Sequence, residues 1–283
     1  DFALALAEGL APPSDAAIVR ARVGRAGSSF ARGMAVLRGE RRRALYAVYA
    51  FCRAVDDIAD SAAPPFEKRR ALAQWRRKLA HPDCALSREL ALARQGFALP
   101  LAECEAMIAG METDSAPRLR IADEAGLDLY CRRVAGSVGA MAVRIFGAPE
   151  AHGFGLALGR TFQLVNILRD LDEDAARERV YIPLSLLGAD APAASLLASP
   201  RLPAACAALL AEAEAGFARA EAELAQHDAR ALFPARVMMW GYRRLLDRLR
   251  TQDFARRGER ARLSRGEKAR MALFALGGAR FAR

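Results

Sequence analysis

No apolar run in this chain of 283 residues approaches the roughly 18 that a membrane span needs, so no spanning helix is expected. Aromatic residues make up only 7%, and β-branched runs are few. Ala and Leu dominate the 53% that is hydrophobic, a composition that favours helices. The five cysteines (Cys52, Cys84, Cys104, Cys131 and Cys206) show no paired or CxxC spacing, which reads as reduced, cytosolic cysteine. Neither they nor His81, His152 and His227 cluster, so a zinc site is not expected. The first residues, DFALALAEGLAPPSD, lack a basic start and a cleavage site, and no signal peptide is expected. There is no GxGxxG fingerprint, no repeat of fixed period and no linker long enough to argue two domains. The expectation is one all-α domain over 1–283, with a loose arm at 1–24 and a basic C-terminal tail at 253–283.

Positive charge is abundant. The formal charge is +10, and lysine appears only at Lys68, Lys78 and Lys268, so arginine carries almost all of it. A basic chain suits nucleic acid, anionic lipid or a polyanionic substrate, while arginine replacing lysine on solvated faces gives the same count. Charge alone decides nothing among these.

Two stretches stand out. In the first, residues 40–60, Leu45, Val48, Cys52, Val55 and Ala59 follow helical spacing and face inward. Tyr49, Arg53, Asp56, Asp57 and Asp60 form the adjacent stripe. Three aspartates within five residues repel one another, and a divalent cation is the simplest compensation. The second stretch belongs to a helix expected over 151–175. There Gln163, Asn166, Asp170 and Asp174 recur at i, i+3, i+7 and i+11 beside an apolar face of Leu164, Ile167, Leu168 and Leu171. Each stretch carries an Asp-x-x-x-Asp, whose i, i+4 spacing puts two carboxylates about 6 Å apart on one face. A single such pair is commonly a solvated helix face. Two of them, with apolar flanks and with Arg53, Arg169, Arg177 and Arg179 nearby, suit Mg²⁺ and a diphosphate-bearing substrate.

Other segments fill in the frame. Gly27-Ser28-Ser29-Phe30 precedes a helix and is either an anion site or a plain N-cap. Helices are expected at about 66–80, 86–95, 101–111, 124–146, 203–226 and 232–250, and a basic helix at about 264–277. Thr113–Arg120 and residues 184–203 read as connections. Within 124–146, Tyr130, Val134, Ala135, Gly136, Val138 and Gly139 form a small-residue face, where each glycine costs roughly 1 kcal/mol against alanine. Either a ligand or another helix passes close by.

The run Tyr49–Asp60 and the run Gln163–Asp174 resemble the two signature segments of the squalene and phytoene synthases. The resemblance extends through Gly27–Phe30, Tyr130–Gly139 and Glu178–Pro183, and covers roughly residues 25–250. Within the family the chain is most similar to the bacterial presqualene diphosphate synthases of hopanoid biosynthesis. The resemblance implies a single all-α isoprenoid-synthase bundle with a central cavity. It also implies two farnesyl diphosphates, with Mg²⁺ on Asp56, Asp60, Asp170 and Asp174, supported by Asn166. Ser29, Tyr49 and Arg53 would then serve a diphosphate group, Tyr130, Val134, Gly136, Gln163, Arg169 and Arg179 would also bind substrate, and the Val134–Gly139 face would supply apolar walls. Tyr181 and Tyr49 are candidates for ordering the diphosphate near the departing proton.

Phytoene synthases, acting on geranylgeranyl diphosphate, share most of these motifs. A non-catalytic relative would be expected to lose motif acids, and all four are present. A nucleic-acid binder would interleave arginine with exposed aromatics, whereas the arginines here lie beside acids, so no nucleic-acid partner is expected. A cytoplasmic protein follows, and the tail, with Arg265, Lys268 and Arg270 beside Met271, Leu273, Phe274 and Leu276, is either a closing helix or a peripheral contact with the inner membrane face.

Overall fold

The computed structural model describes residues 13–26, 37–255 and 260–281. Among the described residues, ten helices ahead of the last one have eight residues or more: α1 (Asp15–Ala26), α2 (Gly39–Asp60), α3 (Pro65–Ala80), α4 (Ala85–Phe97), α5 (Leu101–Asp114), α6 (Glu124–Cys131), α7 (Ser137–Phe146), α8 (His152–Arg169), α12 (Leu202–Leu224) and α13 (Phe233–Arg250). Short helices α9 (Leu171–Ala175), α10 (Leu184–Leu187) and α11 (Ala193–Leu197) lie between α8 and α12, and α14 (Arg265–Phe281) closes the described chain. The all-α expectation stands. No helix among the described residues is long and apolar enough to cross a membrane.

Helix α8 is the axis of the bundle. Leu164, Ile167, Leu168 and Leu171 are all buried, as their spacing implied, and α8 packs against α7, α12 and α13. Contact with α7 is backbone to backbone. A Cβ on Gly139 would sit 2.0 Å from the carbonyl oxygen of Gly155, and one on Gly159 would sit 2.3 Å from that of Ala135. The glycines are there because a second helix passes within touching distance, and any side chain would force the two apart. On α2 the inward row includes Leu45, Val48, Val55 and Ala59, all buried, whereas Cys52 is only half-buried.

Several elements differ from expectation. The helix expected over 124–146 is broken by a π-helical turn at Arg132–Gly136, where α6 passes into α7. The single helix expected over 151–175 is divided. Asp170 leaves helical geometry (φ −107, ψ 13) between α8 and α9. Residues 113 and 114 still belong to α5, not to the connection, and the connection at 184–203 holds α10 and α11.

A parallel two-stranded clip was not foreseen. Leu119 pairs with Arg179 and Arg120 with Val180, forming strands β1 (Leu119–Arg120) and β2 (Arg179–Val180). Glu178, just before β2, sits in the left-handed region at φ 55. Arg120 holds it there, donating to the Glu178 carbonyl at 2.6 Å and to its carboxylate at 2.7 Å. The clip ties the end of α5 to the chain leaving α9.

Candidate active site

A cavity of about 780 Å³ opens between α2, α5, the π-turn, α8, α9 and β2. Six carboxylates line it: Asp56 and Asp60 from α2, Asp114 from α5, and Asp170, Glu173 and Asp174 at the α8–α9 break. Five guanidiniums face them, from Arg53, Arg169, Arg177, Arg179 and Arg260. Gln163 and Asn166, two turns and one turn before the break, complete the polar wall. The two predicted Asp-x-x-x-Asp pairs thus confront one another across one space, and the break at Asp170 leaves both members of the second pair on the cavity wall.

Most of these acids are already held by arginine. Asp60 accepts from Arg179 at 2.7 Å and also pairs with Arg177. Asp170 pairs with Arg169, at 2.6 Å, and with Arg260, at 2.7 Å. Arg53 spans Asp56 at 2.9 Å and Asp57 at 3.0 Å. Burial raises the Asp60 carboxyl, but hydrogen bonds from Arg177 and Arg179 outweigh it and hold the group below the usual range. Burial, with neighbouring Asp60, pushes Asp56 up to about 6. Burial, with neighbouring Asp170, pushes Asp174 up to about 7. Asp174 makes no ion pair among the described residues, and Arg53 only partly offsets the burial of Asp56.

The donor set suits a hard cation. Every candidate ligand on the wall is an oxygen, with no histidine or cysteine among the described lining residues. The Asn166 side-chain oxygen is buried without a hydrogen-bond partner, while its amide nitrogen donates to Gln163 at 3.2 Å. A buried, unsatisfied oxygen beside two under-compensated carboxylates fits Mg²⁺. Among the described residues no three acidic, histidine or cysteine side chains are gathered as tightly as in a formed metal site, since the arginines draw the carboxylates to them.

At the cavity's inner wall, Tyr130 and Tyr181 stack with ring centroids 4.7 Å apart. Both hydroxyls donate to Asp114, Tyr181 at 2.7 Å and Tyr130 at 3.1 Å. Behind this wall lies a second, apolar cavity of about 170 Å³, lined chiefly by Val138, Ala142, Phe146, Leu158, Phe162 and Met238. Val134, Gln163 and Asn166 line both spaces. The small-residue face therefore does two things: its glycines admit α8, and its valines wall a pocket.

Not every expected residue reaches the site. Ser29, with Gly27–Phe30, lies outside the described residues. Tyr49 is half-buried one turn before Arg53 and does not line the cavity. Gly136 faces Leu156 of α8, 3.4 Å from where its Cβ would stand, because the π-turn rotates it into the helix contact and away from the pocket. Conversely, Asp114, Arg260 and Tyr242 were not foreseen. Tyr242 belongs to the apolar cavity and stacks on Phe162 at 4.0 Å.

This geometry agrees with what the chain resembles. The squalene/phytoene synthase family model matches residues 23–267. Presqualene diphosphate synthase of Rhodopseudomonas palustris is 41% identical over 260 residues, covering 87% of this chain and 91% of that protein. A phytoene synthase from Thermus thermophilus is 36% identical, covering 90% of each chain. Among solved structures, a dehydrosqualene synthase in complex with ligand superposes with a TM-score of 0.79 at 24% identity, covering 94% of this chain and 97% of that one. The chain belongs to the squalene/phytoene synthase family.

Proposed function

We propose that the chain, acting as one domain, joins two farnesyl diphosphates head to head into presqualene diphosphate, releasing diphosphate and a proton. The observation that carries this reading is the junction of the two cavities at Val134, Gln163 and Asn166. An acid- and arginine-lined space meets a hydrocarbon-lined one, as a molecule with a diphosphate head and a prenyl tail requires. The relative at 41% identity bears the name of that activity.

Arg53, Arg169, Arg179 and Gln163, joined by Arg177 and Arg260, bind and orient diphosphate. Asp56, Asp60, Asp170 and Asp174, with the Asn166 oxygen, would hold Mg²⁺. The metal supplies Lewis-acid charge on the departing diphosphate. The paired acids and arginines suit such a pair of guests, because carboxylates released to a cation leave guanidiniums free for the anion. Those guanidiniums stabilise charge as it develops on the leaving group. Val134, Val138 and Phe162 keep water from the allylic cation, which it would quench as farnesol. The double bond of the second substrate attacks, and loss of a proton closes a cyclopropane. Tyr181 and Tyr130 stand beside that chemistry.

Incubation with farnesyl or geranylgeranyl diphosphate and Mg²⁺, without NADPH, tests this by product mass. Presqualene diphosphate is expected. Preference for geranylgeranyl diphosphate would make the chain a phytoene synthase, and consumption of neither would overturn the enzyme reading.

A second partner in the proposal is an anionic bilayer, met peripherally from the cytoplasmic side. Met271 and Ala275 bury the inner face of α14, as a closing helix should, but Leu273 is 67% exposed and Phe274 40%. Arg265 and Arg270 are exposed on the same helix, and Lys268 half-exposed. Both substrate and product are amphiphiles, which gives such contact a use.

A further inference from the structure

Asp114 belongs to neither acidic motif. It ends α5 and is only 4% exposed. Its two oxygens are each committed to a phenol, Oδ1 to Tyr181 and Oδ2 to Tyr130. No guanidinium reaches that carboxylate among the hydrogen bonds of the described residues, and Arg179 donates only to the Asp114 backbone oxygen, at 2.8 Å. Burying a carboxylate against two neutral partners is costly. An amide or hydroxyl would anchor one of the rings without that cost, so the charge has a use.

A phenol has one proton to give and two lone pairs. With both protons drawn into Asp114, only lone pairs of Tyr130 and Tyr181 are left to face the cavity that both rings line. Were that carboxylate a donor, one phenol would have to turn its proton outward.

We propose that Asp114 is a positioning residue that holds Tyr130 and Tyr181 as hydrogen-bond acceptors toward the cavity, so that one phenol oxygen takes the proton released on ring closure. This rests on the condensation proposed above. In the step, a C–H bond of the cation breaks and its electron pair closes the third bond of the cyclopropane. The proton goes to the phenol oxygen, and the phenol's own proton passes along the existing hydrogen bond to the carboxylate. The phenol ends neutral and the acid protonated, to be discharged to solvent or diphosphate as product leaves. Burial, only partly offset by the Tyr181 hydrogen bond, pushes Asp114 up to about 6, which agrees with a group able to hold a proton.

The test is Asp114→Asn, which keeps size and one acceptor oxygen but turns an NH₂ on one phenol. KM for farnesyl diphosphate and the Mg²⁺ dependence should stay within about twofold, while kcat falls about a hundredfold, the size of a general-base contribution. The share of consumed substrate ending as farnesol should rise. Tyr130→Phe and Tyr181→Phe, each alone and combined with Asp114→Asn, identify the phenol that acts. In the background lacking that phenol, the further loss from Asp114→Asn should nearly vanish. An unchanged product ratio in Asp114→Asn, or additive losses in both Phe backgrounds, would overturn the proposal. If Asp114→Asn does not fold, the single Phe variants carry the test, because both keep the ring stack; an unshifted farnesol share in both overturns it. Wild-type enzyme that makes no cyclopropyl product would instead bring down the condensation itself, and this inference with it.

Discussion

At the scale of single residues, the motif acids are the first place to test the site. Asp56→Asn or Asp170→Asn removes a ligand charge without changing size, and turnover should fall about a hundredfold or more while the far-UV circular dichroism stays unchanged. Near-wild-type turnover at saturating Mg²⁺ would remove that acid from the chemistry. These acids were legible in the sequence because i, i+4 spacing on a helix is a local geometric fact. Asp114 was hidden by reading Thr113–Arg120 as a connection. The signal was nonetheless present: Met107, Met111 and Asp114 stand at i, i+4 and i+7, an acid continuing an apolar row, and all three line the cavity. Arg260 carried no such signal. One arginine in a tail full of them is marked only by where the tail runs, and there it reaches Asp170 at 2.7 Å and Glu173 at 3.0 Å.

At the scale of elements, periodicity located the helices but not their interruptions. The π-turn at Arg132–Gly136 and the break at Asp170 arise where tertiary contacts outweigh local preference. The glycine spacing left open whether a ligand or a helix passes, and packing of α7 on α8 answered it. Gly139→Ala should therefore destabilise the fold by about 2 kcal/mol, the order seen on overpacking, because the new methyl meets backbone that cannot yield. Gly153→Ala is the control, since nothing lies within 4 Å of its added Cβ. Equal thermal midpoints for the two variants would contradict the close contact. For α14, sedimentation with anionic vesicles is the measurement. Leu273→Glu should weaken binding about tenfold or more, through loss of apolar burial and an added negative charge facing anionic lipid. Indifference of binding to this change and to salt would end the membrane proposal for the helix.

For the whole molecule, the fold class could be read from composition and two motifs, whereas the assembly of the site from segments as far apart in sequence as Arg53 and Arg260 could not. That assembly predicts interdependence of its guests. Mg²⁺ and inorganic diphosphate together should raise the thermal midpoint well beyond the sum of their separate effects, since each neutralises charge the other needs. Ligand present at about a hundred times its dissociation constant adds roughly 2.7 kcal/mol. Simple additivity would argue against a shared site. The two-stranded clip bears on how such a molecule comes into being. Pairing Leu119 with Arg179 closes a loop holding α6, α7, α8 and α9. Drawing together chain ends about sixty residues apart costs roughly 3.6 kcal/mol of closure entropy, so contacts within the loop should form first. Helicity should return early in refolding, and turnover only when the clip shuts. A nascent or partly unfolded chain would then lack a complete diphosphate site, because Arg179, whose side chain reaches from the clip to Asp60 on α2, takes its post among the last.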